Sequence, residues 1–96
     1  MNRRVRTRRT YLSLQAVARM GGVSPQRVRR YEAEGLILAD RVLESDSGVH
    51  LYELSVVHLV RRIRSYEVVG VNLAGIEVIL RLLEQQAGRR KTAARR

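Results

Sequence analysis

Cysteine, phenylalanine and tryptophan are all missing from this chain, and proline occurs once. Without cysteine there is no disulfide, no thiolate metal ligand and no thiol nucleophile, and two histidines cannot hold a metal by themselves. Without the two largest apolar side chains, a core has to be assembled from Leu, Val, Ile and Ala. The 96 residues leave room for one small domain of modest stability as a monomer. No apolar run approaches the ~18 to 20 residues of a membrane span, so a soluble chain with no membrane partner is expected. Chemistry is equally thin. No pair of carboxylates has a site to work in, no glycine-rich loop could cradle a phosphate, and Ser13, Ser24, His50 and His58 have local roles to fill. Neither an enzyme nor a cofactor is expected.

Acid is scarce as well, with nine Asp and Glu against nineteen Lys and Arg and a formal net charge of +10. The placement of this charge says more than its total. Residues 1–10 carry five arginines and no acid, residues 85–96 carry five basic residues and no acid, and residues 11–84 balance nine arginines against nine acids. The ends therefore supply a sequence-independent, salt-sensitive attraction to a polyanion, and selectivity has to come from where the inner arginines sit. A basic disordered arm over 1–10 and a basic disordered tail over 87–96 are expected around a folded region at 11–86. An arginine-rich start also suits an organellar presequence, and Arg8-Arg9-Thr-Tyr-Leu12 suits a twin-arginine export signal. Gln15 and Arg19 interrupt the apolar stretch that such a signal needs, which favours a mobile basic arm.

What is present is a pair of short helical patterns with a tight turn between them. Leu14, Val17 and Ala18 fall at helical spacing, Gly21 and Gly22 can supply a left-handed stop, and Ser24-Pro25 is a cap followed by the helical position that best accepts proline. Gly35 closes the second helix. On a wheel of ~100° per residue, Val28 and Tyr31 face inward while Gln26, Arg27, Arg29 and Arg30 spread over the remaining arc. Such a face suits a major groove lined by phosphates and guanine acceptors.

Beyond Gly35, Leu36-Ile-Leu38, Arg41-Val-Leu43 and Val49-His-Leu-Tyr52 flank a Ser-Asp-Ser-Gly run, the pattern of a short hairpin or wing. Val56, Leu59, Val60 and Ile63 then mark a third helix from about Glu53 to Val69, ended by Gly70. Asn72 caps a fourth helix reaching about Gln86. Its Leu73, Ile76, Val78, Ile79, Leu80, Leu82 and Leu83 cover a sector near 220°, far wider than the ~100° that one core requires. A second copy of the chain is expected against it, through Val78 and Leu82.

These blocks in this order resemble the MerR family of bacterial transcription regulators over roughly residues 11–86. Tyr11 with Leu14 to Ala18 looks like the family's opening helix and Gly22-Val-Ser24 its turn. Val28-Arg-Arg-Tyr-Glu32 is similar to its recognition helix, Glu34-Gly-Leu-Ile37 to its lead-in to the wing, and Gly48-Val-His-Leu-Tyr52 to its wing return. The Gly70-Val-Asn-Leu-Ala-Gly-Ile76 run is similar to the heat-shock repressor (HspR) branch. The resemblance implies a mainly α, MerR-like winged helix-turn-helix with four helices and a short β-hairpin wing. It also implies a homodimeric cytoplasmic repressor on the bacterial nucleoid, bound to an inverted repeat in double-stranded DNA, with a DnaK-type chaperone as corepressor.

DNA contact is expected from Ser24, Gln26, Arg27, Arg29, Arg30, Tyr31, Arg41, His50 and Tyr52, with Arg29 matching the family's recognition-helix arginine. Two readings stand for Tyr31: a core ring only, or a ring packed beneath the helix with its hydroxyl on a phosphate. Arg61, Arg62 and Arg64 either track the flanking backbone or form a solvated face. The sequence departs from the family at His50, where a wing arginine is usual, and at Arg30, where many members have a tyrosine. Glu44 and Asp46 add negative charge to the wing. No segment of these 96 residues is expected to correspond to the long dimerisation helix and effector domain of metal- and drug-sensing members. The rival readings are a chaperone modulator of the CbpM type, which shares the fold but binds a J-domain protein, and nonspecific nucleic-acid packaging by the tails. Arginines on the second helix favour DNA over the former.

Overall fold

The computed structural model describes residues 10–39, 41–42 and 49–94, with the side chains of 41–42 and 89–94 left aside. In chain order these form β1 (Tyr11–Leu12), α1 (Leu14–Gly21), α2 (Pro25–Ala33), β2 (Arg41–Val42), β3 (His50–Glu53), α3 (Leu54–Val68) and α4 (Leu73–Ala94). The result is the expected mainly helical architecture with an antiparallel wing, β2 on β3, in which Val42 stands opposite His50 and Arg41 opposite Leu51. The expected arm over 1–9, the wing turn at 45–48 with Glu44, and residues 95–96 lie outside the described residues. No helix among the described residues is long and apolar enough to cross a membrane. The chain forms two compact units, residues 1–62 and 63–96.

In the first unit both helix starts are built as the sequence suggests. Ser13 Oγ accepts from the Ala16 amide at 3.1 Å and Ser24 Oγ from the Arg27 amide at 3.2 Å, each satisfying an amide that a helix start leaves without a partner. Gly22 takes the left-handed conformation, φ 77°, and the following Val23 amide donates back to the Ala18 carbonyl, ending α1 in a reverse turn. Val17, Ala18, Val28, Tyr31, Leu36, Ile37, Tyr52, Val56, Val57 and Val60 are buried, so the core is mainly valine, joined by Ala18, Leu36 and Ile37, with two tyrosines in place of the missing phenylalanines. One strand was not expected. Tyr11 and Leu12 do not belong to the opening helix but pair antiparallel with Glu53 and Tyr52, making β3 the central strand in the order β1-β3-β2. The reason is local: Ser13 is an extended cap, and the chain ahead of it remains extended.

Gly21 has a different role from Gly22. It lies inside α1, buried, and a Cβ built on it would sit 2.5 Å from Val60 Cγ1 and 3.3 Å from Val60 Cβ. The absence of a side chain is what lets α1 approach α3 there. A valine side chain has little rotational freedom, so the overlap cannot be relieved by a rotamer change. Gly21→Ala should therefore destabilise the fold by about 1–3 kcal/mol despite the better helix propensity of alanine. In a Val60→Ala background the same substitution should become neutral or stabilising. Thermal melts of the four chains check the reversal of sign.

In the second unit, Ile63 and Ile76 are fully buried. The chain turns at Gly70, φ 98°, whose amide donates to the Glu67 carbonyl at 2.9 Å while Val71 donates to Tyr66 at 3.1 Å. Asn72 caps α4 as expected, its Oδ1 accepting from the Gly75 amide at 2.8 Å. The far end corrects the sequence reading: α4 continues to Ala94 rather than stopping near Gln86, so most of the expected disordered tail at 87–96 is helical. Glutamine, alanine, arginine and lysine are good helix formers, and Gly88 is the one strong breaker among them. Lack of an apolar period there does not keep a helix from forming. Along α4, Val78, Leu82 and Leu83 remain 46%, 57% and 39% exposed.

Candidate nucleic-acid interface

The second helix presents its polar face as its wheel predicts. Val28 and Tyr31 are fully buried while Gln26, Arg29 and Arg30 are exposed. The arginines are not equivalent. Arg30 is tied to Glu34 one turn on, Nε to Oε2 3.2 Å, and Arg27 lies half-buried with its guanidinium 5.5 Å from the centre of the Tyr31 ring. The Arg29 side chain makes no hydrogen bond or ion pair among the described residues, which leaves its five donors for an external acceptor. Ser24 is exposed at the helix start, its oxygen already engaged as the cap.

Two expected contacts are corrected. Tyr31 is buried to its hydroxyl, so the core reading stands and the phosphate reading falls. Tyr52 is also buried, and its hydroxyl donates to Glu32 Oε1 at 2.7 Å. Burial first, then the hydrogen bond to the Glu32 carboxylate and its negative charge, push the Tyr52 phenol well above its usual range, with Arg29 opposing. The phenol stays neutral and serves as a structural donor. Arg41 enters through its backbone only, and its side chain lies outside the described set.

Glu32 is the residue the sequence did not mark out. Its second oxygen, Oε2, lies 2.9 Å from His50 Nδ1. One carboxylate on α2 therefore holds two residues of the wing strand, spanning 18 and 20 positions of sequence. The available signal was its wheel position, about 40° from Val28 on the buried side of the helix. This clamp forms one wall of a cleft of about 670 Å3 lined also by Ser13, Gln15 and Arg29. Exposed His50, exposed Arg29 and the capped start of α1 thus border the same concave surface.

Of the later arginines, Arg61 donates from Nε to the Met20 carbonyl at 3.0 Å, at the end of α1 where helix carbonyls lack partners. That contact gives Arg61 a folding role. Arg62 and Arg64 are exposed. Among the described residues no cluster of His, Asp or Glu could hold a metal ion.

Comparison with known proteins gives a consistent picture. The family model described as MerR HTH family regulatory protein matches residues 12–83. In fold the chain is similar to a transcriptional regulator of the MerR family from Bacillus cereus, with a TM-score of 0.62 at 20% sequence identity, covering 88% of this chain and 67% of that one. No curated protein matches the sequence.

Proposed function

The chain belongs to the MerR family of helix-turn-helix regulators, which bind DNA generally as dimers, and from that premise we propose that it recognises a specific inverted repeat as a homodimer and represses transcription there. The observation that carries the reading is the second helix: a buried Val28 and Tyr31 fix its orientation, and an uncommitted Arg29 stands beside the exposed Gln26 and Arg30. A guanidinium in that state is suited to bidentate contact with guanine, while the wing contributes backbone contacts that carry no sequence information. Gln26 and Arg27 flank it, and Ser24 stands at the helix start, where its hydroxyl and the amides around it favour phosphate.

A narrower role, repression of heat-shock chaperone genes with a DnaK-type corepressor, rests on the Gly70 to Ile76 run. That run also has a local task in this fold, since it makes the turn into α4 and supplies the Asn72 cap. The dimer is supported by the apolar residues that α4 leaves exposed.

In vitro selection from a random duplex library tests the proposal. The enriched sequences are expected to contain an inverted repeat whose half-site centres lie about 10 base pairs apart or a multiple of it, as two helices entering successive major grooves require. Enrichment of no sequence, with binding that depends on salt alone, would overturn it in favour of nonspecific attraction by the basic ends.

A further inference from the structure

The Glu32 clamp constrains the chemistry of His50 as well as its place. Oε1 of Glu32 accepts a hydrogen bond from the Tyr52 hydroxyl, and Oε2 faces His50 Nδ1 at 2.9 Å. A carboxylate only accepts, so the imidazole has to donate through Nδ1. A neutral ring then carries a bare lone pair on Nε2, on the side of the ring away from Glu32, and the ring is exposed. A lone pair repels a phosphate oxygen, whereas a proton on Nε2 makes the same atom a charged donor to it. Among the described residues, the charged and titratable groups that line the cleft with the ring are Arg29 and Glu32 of α2, with Tyr52 on its own strand. The start of α1 offers the uncharged Ser13 and Gln15, and Val42 is its backbone partner on β2.

We propose that Glu32 is a positioning residue for DNA contact: by holding His50 in the Nδ1–H form, it makes the wing's hold on a duplex phosphate require one proton per protomer, taken from solvent onto Nε2 as the phosphate docks. This rests on the DNA-binding reading above. Where an arginine in this position would grip phosphate at any pH, the Glu32–His50 pair grips it better as the pH falls. Arg29, on the same cleft, adds positive charge that favours a phosphate near His50 while its own donors remain for the base edge.

Two measurements test it on the full chain. Long-range proton–nitrogen correlation spectra of the free protein above neutral pH should show His50 as the Nδ1–H tautomer, with His58, the other histidine, as an internal reference. An Nε2–H ring at His50 overturns the positioning role. Affinity for a selected duplex, followed from about pH 6 to about pH 8 at constant ionic strength, should fall roughly fivefold to tenfold per protomer. His50→Gln should flatten that profile and Glu32→Gln should shrink it. Tyr52→Phe, which removes only the other arm of the clamp, should lower Tm and leave the profile in place. A pH step that survives His50→Gln, or that is as large in Glu32→Gln as in the wild type, overturns the proposal. Failure of selection to enrich any duplex overturns the DNA-binding reading instead, and is distinguishable because the tautomer measurement needs no DNA.

Discussion

Leu82→Glu is expected to turn a dimer into a monomer, read by sedimentation velocity at micromolar concentration. Leu82 is the most exposed of the three large apolar residues that α4 leaves exposed among the described residues, and Val78 lies four positions before it, on the same face one turn away. Burying a leucine that would otherwise meet water is worth about 1.5–3 kcal/mol, and in a twofold interface each such residue counts twice. Losing both copies should raise the dimer dissociation constant roughly hundredfold or more, and the introduced carboxylate adds the cost of a charge carried into an apolar contact. Glu84→Ala, two positions on, serves as the comparison, since it removes a charge without adding one to the apolar face. A wild-type chain that is already a clean monomer, or a Leu82→Glu chain that associates as before, would show that this face has another use. A MerR-type dimer also presents two second helices to one inverted repeat, so the monomeric variant should lose affinity for a selected site more than for a single half-site.

What the sequence made legible is what local chemistry writes into a few adjacent residues. The caps at Ser13, Ser24 and Asn72, the left-handed turn at Gly22 and the inward pair Val28 and Tyr31 depend on neighbours within one helical turn, and all stand where the residues suggested. The wing strands were legible from their flanking turn residues. By contrast β1 has two residues, too few to show any period, and it exists because β3 offers it an edge. Amphipathic patterning reports packing and so places the end of α4 near Gln86, whereas the helix continues to Ala94 through residues that are mostly good helix formers. The candidate site divides in the same way. Its arginines were legible from the wheel, while the fates of Tyr52, His50 and Glu32 are decided by contacts between α2 and β3 that no short-range pattern encodes. Gly21 is a further case: a glycine beside a helix end suggests a turn, and only the approach of Val60 shows that it is a steric requirement.

The strongest effect on recognition is expected at Arg29. Alanine there improves helix propensity and breaks no ion pair among the described residues, so the fold should be unharmed and a loss of binding can be assigned to the guanidinium itself. Tyr52, whose phenol Arg29 helps to hold down, stays neutral with or without it, because burial and the Glu32 hydrogen bond already push the phenol upward. A bidentate arginine on guanine contributes about 1–3 kcal/mol of discrimination, so affinity for a selected duplex should fall roughly fivefold to a hundredfold. Affinity for random DNA should fall less, by the share of one charge in a salt-dependent attraction. Arg81→Ala is the control. Arg81 pairs with Glu77 at 3.2 Å on α4, and its loss removes the same charge at the cost of an exposed ion pair worth only a few tenths of a kcal/mol. Arg30→Ala adds a second comparison on the same helix, because Arg30 already has Glu34 as a partner and must give it up to reach DNA. The expected order of damage to the selected duplex is therefore Arg29 first, Arg30 next and Arg81 last. If Arg29→Ala and Arg81→Ala weaken selected and random duplexes to the same extent, charge alone holds this protein on DNA, and the second helix does not read bases.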